Sequence, residues 1–251
     1  MAGLLIIPTL NEAANLAPLV REVRRHAPSL EVLVVDDASP DGTGAEADRL
    51  AAADAQVQVL HRAGPRGYGR ACLEGFRWAL ARDCDPILTM DADFSHDPAA
   101  LPDLLLADTE FDVVIGSRYW RGTRVRHWPR HRVWLSRFAN LYARLATGLP
   151  VADCTSGYRC YRRRVLESID LGTVVSHHYV FLIELAARAQ WAGWHLGETP
   201  ITCTERRHGE SKLTARVLAE AMIVPWRLRL ARRHWQRAAA APATIKPEVS
   251  E

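Results

Sequence analysis

The stretch EVLVVDDASPDGT, residues 31–43, places a run of Val and Leu directly before two aspartates and a turn-forming segment. The stretch LLIIPTLNE, residues 4–12, has the same design, because its apolar run also ends in a polar loop. Nearly continuous apolar strands are typical of a parallel sheet that is covered on both faces. We therefore expect an α/β fold in which polar loops follow buried strands at one edge of the sheet.

The whole first half alternates strand and helix patterns. Aliphatic runs predict strands at residues 3–8, 31–36, 57–61, 86–90 and 112–116. Apolar residues at helical spacing predict helices at residues 12–26, 44–53, 68–82 and 97–107. This order predicts a mostly parallel, Rossmann-like sheet sandwiched by helices.

The second half is less regular. Its predicted elements are an Arg/Trp-rich loop at 119–129, a helix at 131–147, a turn-rich segment at 153–159, a helix at 179–192, a strand at 196–203 and a polar loop at 204–211. An amphipathic C-terminal helix follows, with Pro225 as a predicted kink. The Ala/Pro-rich residues 238–251 predict a disordered tail.

Composition limits the classes of function. A length of 251 residues with 48% hydrophobic residues supports one substantial core, and a net charge of +3 is too small to indicate a nucleic-acid binder. The five cysteines are odd in number and lack zinc-site spacing, which favours a reduced, cytosolic protein. No apolar stretch approaches the ~20 residues that span a bilayer, and the run at residues 4–7 is too short for a signal peptide.

Acidic loops follow three of the predicted strands, at residues 8–12, 36–43 and 91–95. Each loop alone is also compatible with turn formation or helix capping. Asp91 and Asp93 are harder to explain structurally, because two carboxylates after a buried strand repel each other unless a cation lies between them. Mg²⁺ or Mn²⁺ bound by these carboxylates would complete its shell with diphosphate oxygens and water. The spacing therefore predicts a metal–diphosphate site.

Seven motifs in order, PTLNE, VVDDASPDGT, MDADFSH, GSRYW, DCTSGYRCYRR, YVFLIELAARA and RRHGESKL, resemble those of dolichol-phosphate (polyprenol-monophosphate) mannose synthases. That family consists of inverting glycosyltransferases of the GT-A fold, and the resemblance covers about residues 4–230. It implies an enzyme that transfers mannose from GDP-mannose to polyprenyl phosphate, with Mg²⁺ or Mn²⁺, at the cytoplasmic face of a membrane. Residues Leu10 and Leu182 depart from the usual pattern, where Tyr and Gln are frequent.

The resemblance also implies roles for individual residues. The donor-binding residues would be Pro8, Leu10, Glu12, Val35, Asp37, Asp91, Ala92, Asp93, Arg206 and Lys212. The metal would be held by Asp91 and Asp93 with help from Ser95, and the acceptor phosphate by Arg118, Arg132 and Ser136. Asp91, Asp93 and Arg118 are the expected catalytic residues, because cations must offset the repulsion between diphosphate and phosphate.

We expect one catalytic domain over residues 1–237. Its expected parts are a nucleotide-sugar-binding half (1–117), an acceptor half (118–212) and a membrane-facing amphipathic helix (213–237). A phosphate monoester is already an anion near neutral pH and needs no general base. Asp153, Glu184 and Asp37 would be base candidates only for a hydroxyl acceptor, and Asp153 is better explained as a loop or cap residue. For Glu184, a buried partner and a site residue remain equally open.

Two basic segments indicate a membrane surface. Residues 118–137 contain seven arginines and three tryptophans without an acidic residue, and residues 216–237 contain six arginines and two tryptophans. Arg interleaved with Trp is typical of proteins that lie at a bilayer interface. An ordinary solvated basic face is the alternative. A peripheral protein, with or without a membrane-protein partner, is the expectation.

Three other functions are alternatives to this one. The first is transfer of glucose or another hexose to polyprenyl phosphate, and the second is a catalytically silent scaffold for a membrane complex. The third, a dehydrogenase, is disfavoured because GPRGYG at residues 64–69 lies in the wrong place for a dinucleotide fingerprint.

Overall fold

One sheet of seven strands organises the part of the chain that the structure describes. The computed structural model describes residues 2–176, 178–205 and 215–240. The strands are β1 (Ala2–Thr9), β2 (Glu31–Asp36), β3 (Val57–His61), β4 (Cys84–Thr89), β5 (Val113–Ser117), β6 (Arg159–Tyr161) and β7 (Leu196–Pro200). Their order is β3-β2-β1-β4-β6-β5-β7, and only β6 runs antiparallel to its neighbours. The prediction of a mostly parallel sheet is confirmed.

Helices flank this sheet. They are α1 (Ala13–His26), α2 (Thr43–Ala53), α3 (Tyr68–Leu80), α4 (Leu101–Ala107), α5 (Arg130–Thr147), α6 (Arg163–Ser168), α7 (Val180–Trp191) and α8 (Ala215–Ala240). The predicted helices are all present, with ends that differ by a few residues. The sequence did not predict α6, and the strand predicted at residues 196–203 ends three residues earlier, at Pro200.

The strand β1 is buried on both faces. Leu4 and Ile6 share a core cluster with Phe76 of α3, whereas Leu5 and Ile7 pack with Leu16 of α1. Side chains alternate between the two faces of a strand, so a strand covered on both sides needs an unbroken apolar run. The apolar run at residues 4–7 is therefore explained, and it places the loop after β1 at the ligand edge.

The strand β6 was missed because it lies in a turn-rich segment. Cys160 pairs with Leu88 of β4 on one side and with Val114 of β5 on the other. The buried Arg159 side chain donates to the carbonyl oxygens of Leu182 at 2.6 Å and Cys154 at 2.7 Å. Because β6 is antiparallel, the residues that precede it lie at the carboxyl end of β4, beside the predicted metal site.

The C-terminal helix α8 contacts α5 and α7 and includes Pro225. It continues to Ala240, three residues into the predicted tail, and residues 241–251 lie outside the described part. Within residues 2–176, 178–205 and 215–240, no helix combines the length and apolar character that a bilayer crossing requires.

Candidate active site

A cavity of about 260 Å³ opens at the carboxyl ends of β1, β2 and β4. Its lining residues are Pro8, Thr9, Leu10, Glu12, Asp37, Arg66, Gly67, Tyr68, Ala71, Asp91, Ala92, Asp93, His178 and Tyr179. Of the lining residues that the structure describes, four carry carboxylates and one is an arginine. The cavity is therefore acidic, at the edge of the sheet where the sequence predicted a ligand.

The loops after β1 and β2 are held together by hydrogen bonds. The backbone N–H of Asn11 donates to Ser39 Oγ at 3.0 Å, and that of Glu12 donates to Thr43 Oγ1 at 2.9 Å. The carboxylate of Asp41 accepts from the N–H of Ala13 at 3.2 Å and from the hydroxyl of Thr43 at 2.6 Å. Burial opposes ionisation of Asp41, but these hydrogen bonds outweigh it and lower its pKa. The SPDGT turn thus fixes the PTLNE loop.

Each of the three loops that meet here contains one non-glycine residue with left-handed backbone. Asn11, Ala38 and Phe94 have φ values of 60°, 56° and 61°. Non-glycine residues adopt this conformation at an energetic cost, which the surrounding structure must offset. The shared geometry indicates that the loops are shaped for a ligand rather than for the lowest local strain.

Asp37 ties the second loop to the loop before α3. Its carboxylate accepts from the N–H of Gly67 at 2.7 Å and from the guanidinium of the buried Arg62. In the same loop, Arg66 donates to the carbonyl oxygen of Ala38. The segment GPRGYG therefore frames the cavity opposite the PTLNE loop.

The Asp91–Asp93 pair lies at the floor of the cavity. The Asp93 carboxylate accepts from the N–H of Ser95 at 3.0 Å, and the N–H of Asp91 donates to His96 Nδ1 at 3.2 Å. Ser95 therefore orients Asp93 through its backbone. A role for the Ser95 side chain in metal binding stays a prediction.

Tyr68 and Gly157 position Asp91. A Cβ atom on Gly157 would lie 2.5 Å from the Tyr68 hydroxyl oxygen and 2.8 Å from Oδ1 of Asp91. Burial raises the pKa of Tyr68 well above its ordinary value, and the Asp91 carboxylate raises it further. The hydroxyl therefore stays protonated beside Asp91. The Tyr68 ring stacks on Tyr179, with centroids 5.6 Å apart.

Arg118 directly follows β5, and its guanidinium forms an ion pair with Asp153. Its Nε donates to Asp153 Oδ2 at 2.7 Å, and one terminal nitrogen donates to Oδ1 at 2.7 Å. Burial disfavours the charge of Asp153, but the Arg118 guanidinium outweighs it and lowers the pKa of Asp153. Asp153 in turn raises the pKa of Arg118 against the effect of burial. Asp153 is thus an ion-pair partner rather than only a loop or cap residue.

The other two acceptor-side residues gather around Trp128 and Tyr119. The Arg132 guanidinium lies over the Trp128 ring at 4.1 Å and pairs with Glu205 at 3.1 Å. Arg118 lies 5.6 Å from the same ring, and Ser136 accepts from the Tyr119 hydroxyl at 2.7 Å. The structure therefore brings Arg118, Arg132 and Ser136 to one place.

A short segment after β7 joins this cluster to the aspartate pair. The Thr204 hydroxyl donates to the carbonyl oxygen of Phe94 at 3.0 Å, and the backbone N–H of Thr204 donates to the carbonyl oxygen of Ser95 at 3.2 Å. One residue earlier, Cys203 exchanges backbone hydrogen bonds with Arg124 and Arg126. The acidic loop and the arginine-rich loop thus lie on opposite sides of the same segment.

Most of the predicted donor-binding residues line the cavity, but three of them are not among its described lining residues. The cavity contains Pro8, Leu10, Glu12, Asp37, Asp91, Ala92 and Asp93. Val35 does not line it, because its side chain is buried in the core cluster with Gly75 of α3 as a neighbour. Arg206 and Lys212 lie outside the described residues, so their roles stay predictions.

Among the cavity side chains that sequence reasoning missed, the larger ones are Arg66, Tyr68, His178 and Tyr179. The glycine-rich segment at residues 64–69 was a usable signal, because such a loop at the start of a helix often approaches a ligand closely.

An acidic DxD pair at the carboxyl edge of a mostly parallel sheet is the architecture of GT-A glycosyltransferases, and the chain has that fold. Within this class, the family model described as Glycosyl transferase family 2 matches residues 4–170. The chain belongs to that family and is a glycosyltransferase.

Two curated relatives are similar over most of their length. The chain is 49% identical to polyprenol monophosphomannose synthase of Mycolicibacterium smegmatis over 230 residues, covering 90% of this chain and 87% of that protein. It is 44% identical to undecaprenyl-phosphate mannosyltransferase of Micrococcus luteus over 236 residues, covering 94% and 97%. The family inferred from the motifs is confirmed.

Two solved structures share the fold. Glucosyl-3-phosphoglycerate synthase from Mycobacterium tuberculosis, solved with Mn²⁺, UDP and glucosyl-3-phosphoglycerate, aligns with a TM-score of 0.62 at 18% identity, covering 96% of this chain and 81% of that one. A mannosyltransferase from Pyrobaculum calidifontis, solved with GDP-Man and Mn²⁺, aligns with a TM-score of 0.57 at 18% identity, covering 95% and 73%. At these identities the comparison concerns the fold alone.

Proposed function

We propose that the chain transfers mannose from GDP-mannose to polyprenyl phosphate, with inversion at the anomeric carbon and assistance from a divalent metal. The observation that carries this proposal is that the loop with the aspartate pair and the arginine-rich loop are both hydrogen-bonded to residues 203–204. A sugar diphosphate at the first and a lipid phosphate at the second would be neighbours. The names of the two relatives support the sugar and the acceptor, and the GDP-Man complex of the structural neighbour supports the donor.

The residues of the cavity fit a hard divalent cation. Among the described residues there is no cluster of three or more His, Cys, Asp or Glu side chains that could hold a metal by itself. Mg²⁺ commonly takes one or two carboxylates and completes its shell with phosphate oxygens and water, which matches Asp91 and Asp93. When bound, the metal supplies charge neutralisation for the departing diphosphate. The Mn²⁺ in both neighbours supports this assignment.

The carboxylates argue against a hydroxyl acceptor. Asp153 is held by Arg118, and Asp37 is held by Arg62 and Gly67. Glu184 is fully buried and accepts from the backbone N–H groups of Val175 and Ser176 at 3.2 and 3.0 Å. The three residues considered as general bases are therefore engaged in structural contacts. A phosphate acceptor is already ionised near neutral pH and can attack the anomeric carbon directly.

An apolar ridge on α5 and α8 supports a position at a bilayer surface. On α5 it consists of Trp134, Leu135, Phe138, Leu141 and Leu145, and on α8 of Met222, Ile223, Trp226 and Leu230. The two helices are joined by hydrogen bonds from Tyr142 to the Met222 carbonyl and from Arg229 to the Leu145 carbonyl at 2.9 Å. Trp134 is 72% exposed and Leu230 86% exposed, which is unusual for side chains of this size.

We propose that this ridge contacts a bilayer that contains anionic lipid. Leu135 of the ridge follows Arg132 by three residues on α5, and residues so spaced are neighbours on a helix surface, so the ridge begins beside the arginine cluster proposed for the lipid phosphate. Arginines next to exposed Trp and Leu residues suit the headgroup region of such a membrane. The cytoplasmic face stays a prediction. Co-sedimentation with phosphatidylglycerol vesicles tests the surface, and equal binding of wild type and Trp134→Ser/Leu230→Ser would contradict it.

A lipid-extraction assay tests the reaction. Purified protein is incubated with labelled GDP-mannose, polyprenyl phosphate and Mn²⁺ or Mg²⁺, and label in the organic phase is counted. We expect metal-dependent label that EDTA abolishes. Unlabelled UDP-glucose should compete poorly, whereas strong competition or label from UDP-glucose would favour the alternative hexosyltransferase. Absence of transfer from every donor tried would favour a silent scaffold.

A further inference from the structure

The loop between α6 and α7 brings two side chains to the donor cavity. His178 and Tyr179 line the cavity, and Tyr179 stacks on Tyr68, which in turn lies beside Asp91. Since the stack is made across two separate segments of the chain, its geometry depends on how firmly the loop is held against α7.

One buried carboxylate holds that loop. Glu184 accepts from two successive backbone N–H groups, those of Val175 and Ser176, which precede the cavity residues by three. A buried carboxylate needs a cation as well as hydrogen bonds, and Arg188 supplies it at 2.5 Å. The Arg188 guanidinium also donates to the carbonyl oxygen of Thr173 at 2.6 Å and to its hydroxyl at 2.8 Å. Residues Thr173, Val175 and Ser176, which precede the two cavity side chains, are thus held by one ion pair.

Helix α8 covers the Glu184–Arg188 ion pair on the side away from the loop. The Arg188 guanidinium lies over the Trp235 ring at 3.6 Å, and Trp235 packs beside Ala187, Trp191 and Leu228. The guanidinium is therefore enclosed between the loop and the indole, with its side chain only 3% exposed. An arginine that is desolvated over an aromatic face gains more from the contact than an exposed one.

We propose that Glu184, Arg188 and Trp235 are positioning residues for the donor cavity, and that they link α8 to the Tyr179–Tyr68 pair. The inference rests on the proposed function, because it assumes that this cavity binds the nucleotide sugar. It deepens that function by giving α8 a second role. Its exposed face carries part of the apolar ridge, and its opposite face supports the donor site.

The test uses the full chain with Trp235→Ala, the conservative Trp235→Phe and Arg188→Lys, and a matched control. The control is Trp78→Ala, because Trp78 also packs on the core and has a guanidinium, that of Arg82, at 3.7 Å over its ring. Trp78 lies near the end of α3, away from Tyr68 at its start. Calorimetric titration with GDP and Mn²⁺ gives the nucleotide affinity, and hydrogen exchange gives the protection of the Val175 and Ser176 amides.

We expect Trp235→Ala to weaken GDP binding and raise the KM for GDP-mannose by roughly threefold to tenfold, the range expected for loss of a desolvated cation–π contact. The KM for polyprenyl phosphate should stay unchanged, the two amides should exchange faster, and Trp235→Phe should restore most of the affinity. Arg188→Lys should behave like Trp235→Ala, because lysine cannot reproduce the planar set of donors.

The outcomes separate the two proposals. Wild-type affinity for GDP in both Trp235→Ala and Arg188→Lys would overturn the positioning role. An equal loss in the Trp78→Ala control would do so too, since a general loss of stability would then explain the effect. If the wild-type protein bound neither GDP nor UDP, the proposed donor function would fail and the inference with it. If Trp235→Ala does not fold, Trp235→Phe and Arg188→Lys decide the matter.

Discussion

The donor side and the acceptor side of the molecule are built in opposite ways. On the donor side, short polar loops are tied to each other by backbone hydrogen bonds and close around buried aspartates such as Asp37 and Asp93. On the acceptor side, Arg118 and Trp128 of the loop before α5 and Arg132 of α5 contact each other through their side chains. The contrast suits the two proposed substrates, because a nucleotide sugar would enter from water whereas a lipid phosphate would reach the site along a membrane.

The strongest test of the donor side is Asp93→Asn. Removal of one carboxylate should abolish metal-assisted transfer, with a loss of roughly a thousandfold or more in kcat, since charge neutralisation by a metal is worth several kcal/mol. The lipid-extraction assay measures the loss. The matched control is Asp97→Asn, because Asp97 caps the N–H of Ala99 at 3.0 Å and asparagine can replace it there. Near-normal turnover of Asp93→Asn would refute the metal assignment.

A second test concerns the position of Asp91. Gly157→Ala should reduce kcat/KM by about a hundredfold, because a displacement of about 1 Å at a catalytic group can cost that much. The new methyl group would lie 2.8 Å from Oδ1 of Asp91 and 2.5 Å from the Tyr68 oxygen, so both side chains or the backbone at residue 157 must move. Steady-state kinetics and circular dichroism separate the activity loss from unfolding.

The Tyr68→Phe background sharpens this test. Phenylalanine removes the oxygen that lies closest to the added methyl group, so Gly157→Ala should cost less activity in Tyr68→Phe than in the wild-type protein. Fully additive losses would show that the effect of Gly157→Ala does not pass through this contact.

The acceptor side is tested by Arg132→Ala. We expect the KM for polyprenyl phosphate to rise by roughly tenfold, the value of one charge-assisted hydrogen bond, with little change in the KM for GDP-mannose. Arg130→Ala is the control, because Arg130 is exposed on the same helix but two residues away, and residues so spaced do not face each other. Equal effects on the two substrates would place Arg132 outside the acceptor site.

The two sides also differ in how far the sequence predicts them. The donor side follows from simple rules, because aliphatic runs fixed β1, β2 and β4 and their loops must meet at one edge. The left-handed residues Asn11 and Ala38 could not be predicted, since their conformation is imposed by contacts between loops. The strand β6 is only three residues long and contains a buried arginine, so its pairing partners rather than its own residues make it a strand.

On the acceptor side, the sequence indicated a basic, Trp-rich surface but not the contacts between its side chains. The resemblance named Arg118, but the Arg118–Asp153 ion pair joins residues 35 positions apart and has no local signature. Likewise, Glu184 could be either a buried partner or a site residue until its contacts with Val175 and Ser176 were seen. Long-range pairing of buried charges depends on tertiary packing, which a single sequence does not display.

The smallest expected effect concerns the turn that joins the first two donor loops, and it depends on pH. The pKa of Asp41 is lowered in the folded protein, so its ionised form stabilises the fold above the unfolded pKa of about 3.9, and this contribution is lost as the pH falls through the folded pKa. Asp41→Asn keeps an acceptor oxygen but no charge. At pH 7 it should lower the free energy of unfolding by less than about 1 kcal/mol, because the site is exposed. Urea unfolding should show that the difference in free energy of unfolding between the wild type and Asp41→Asn shrinks below about pH 4. A difference independent of pH would mean that the shape of the side chain rather than its charge holds the two loops together.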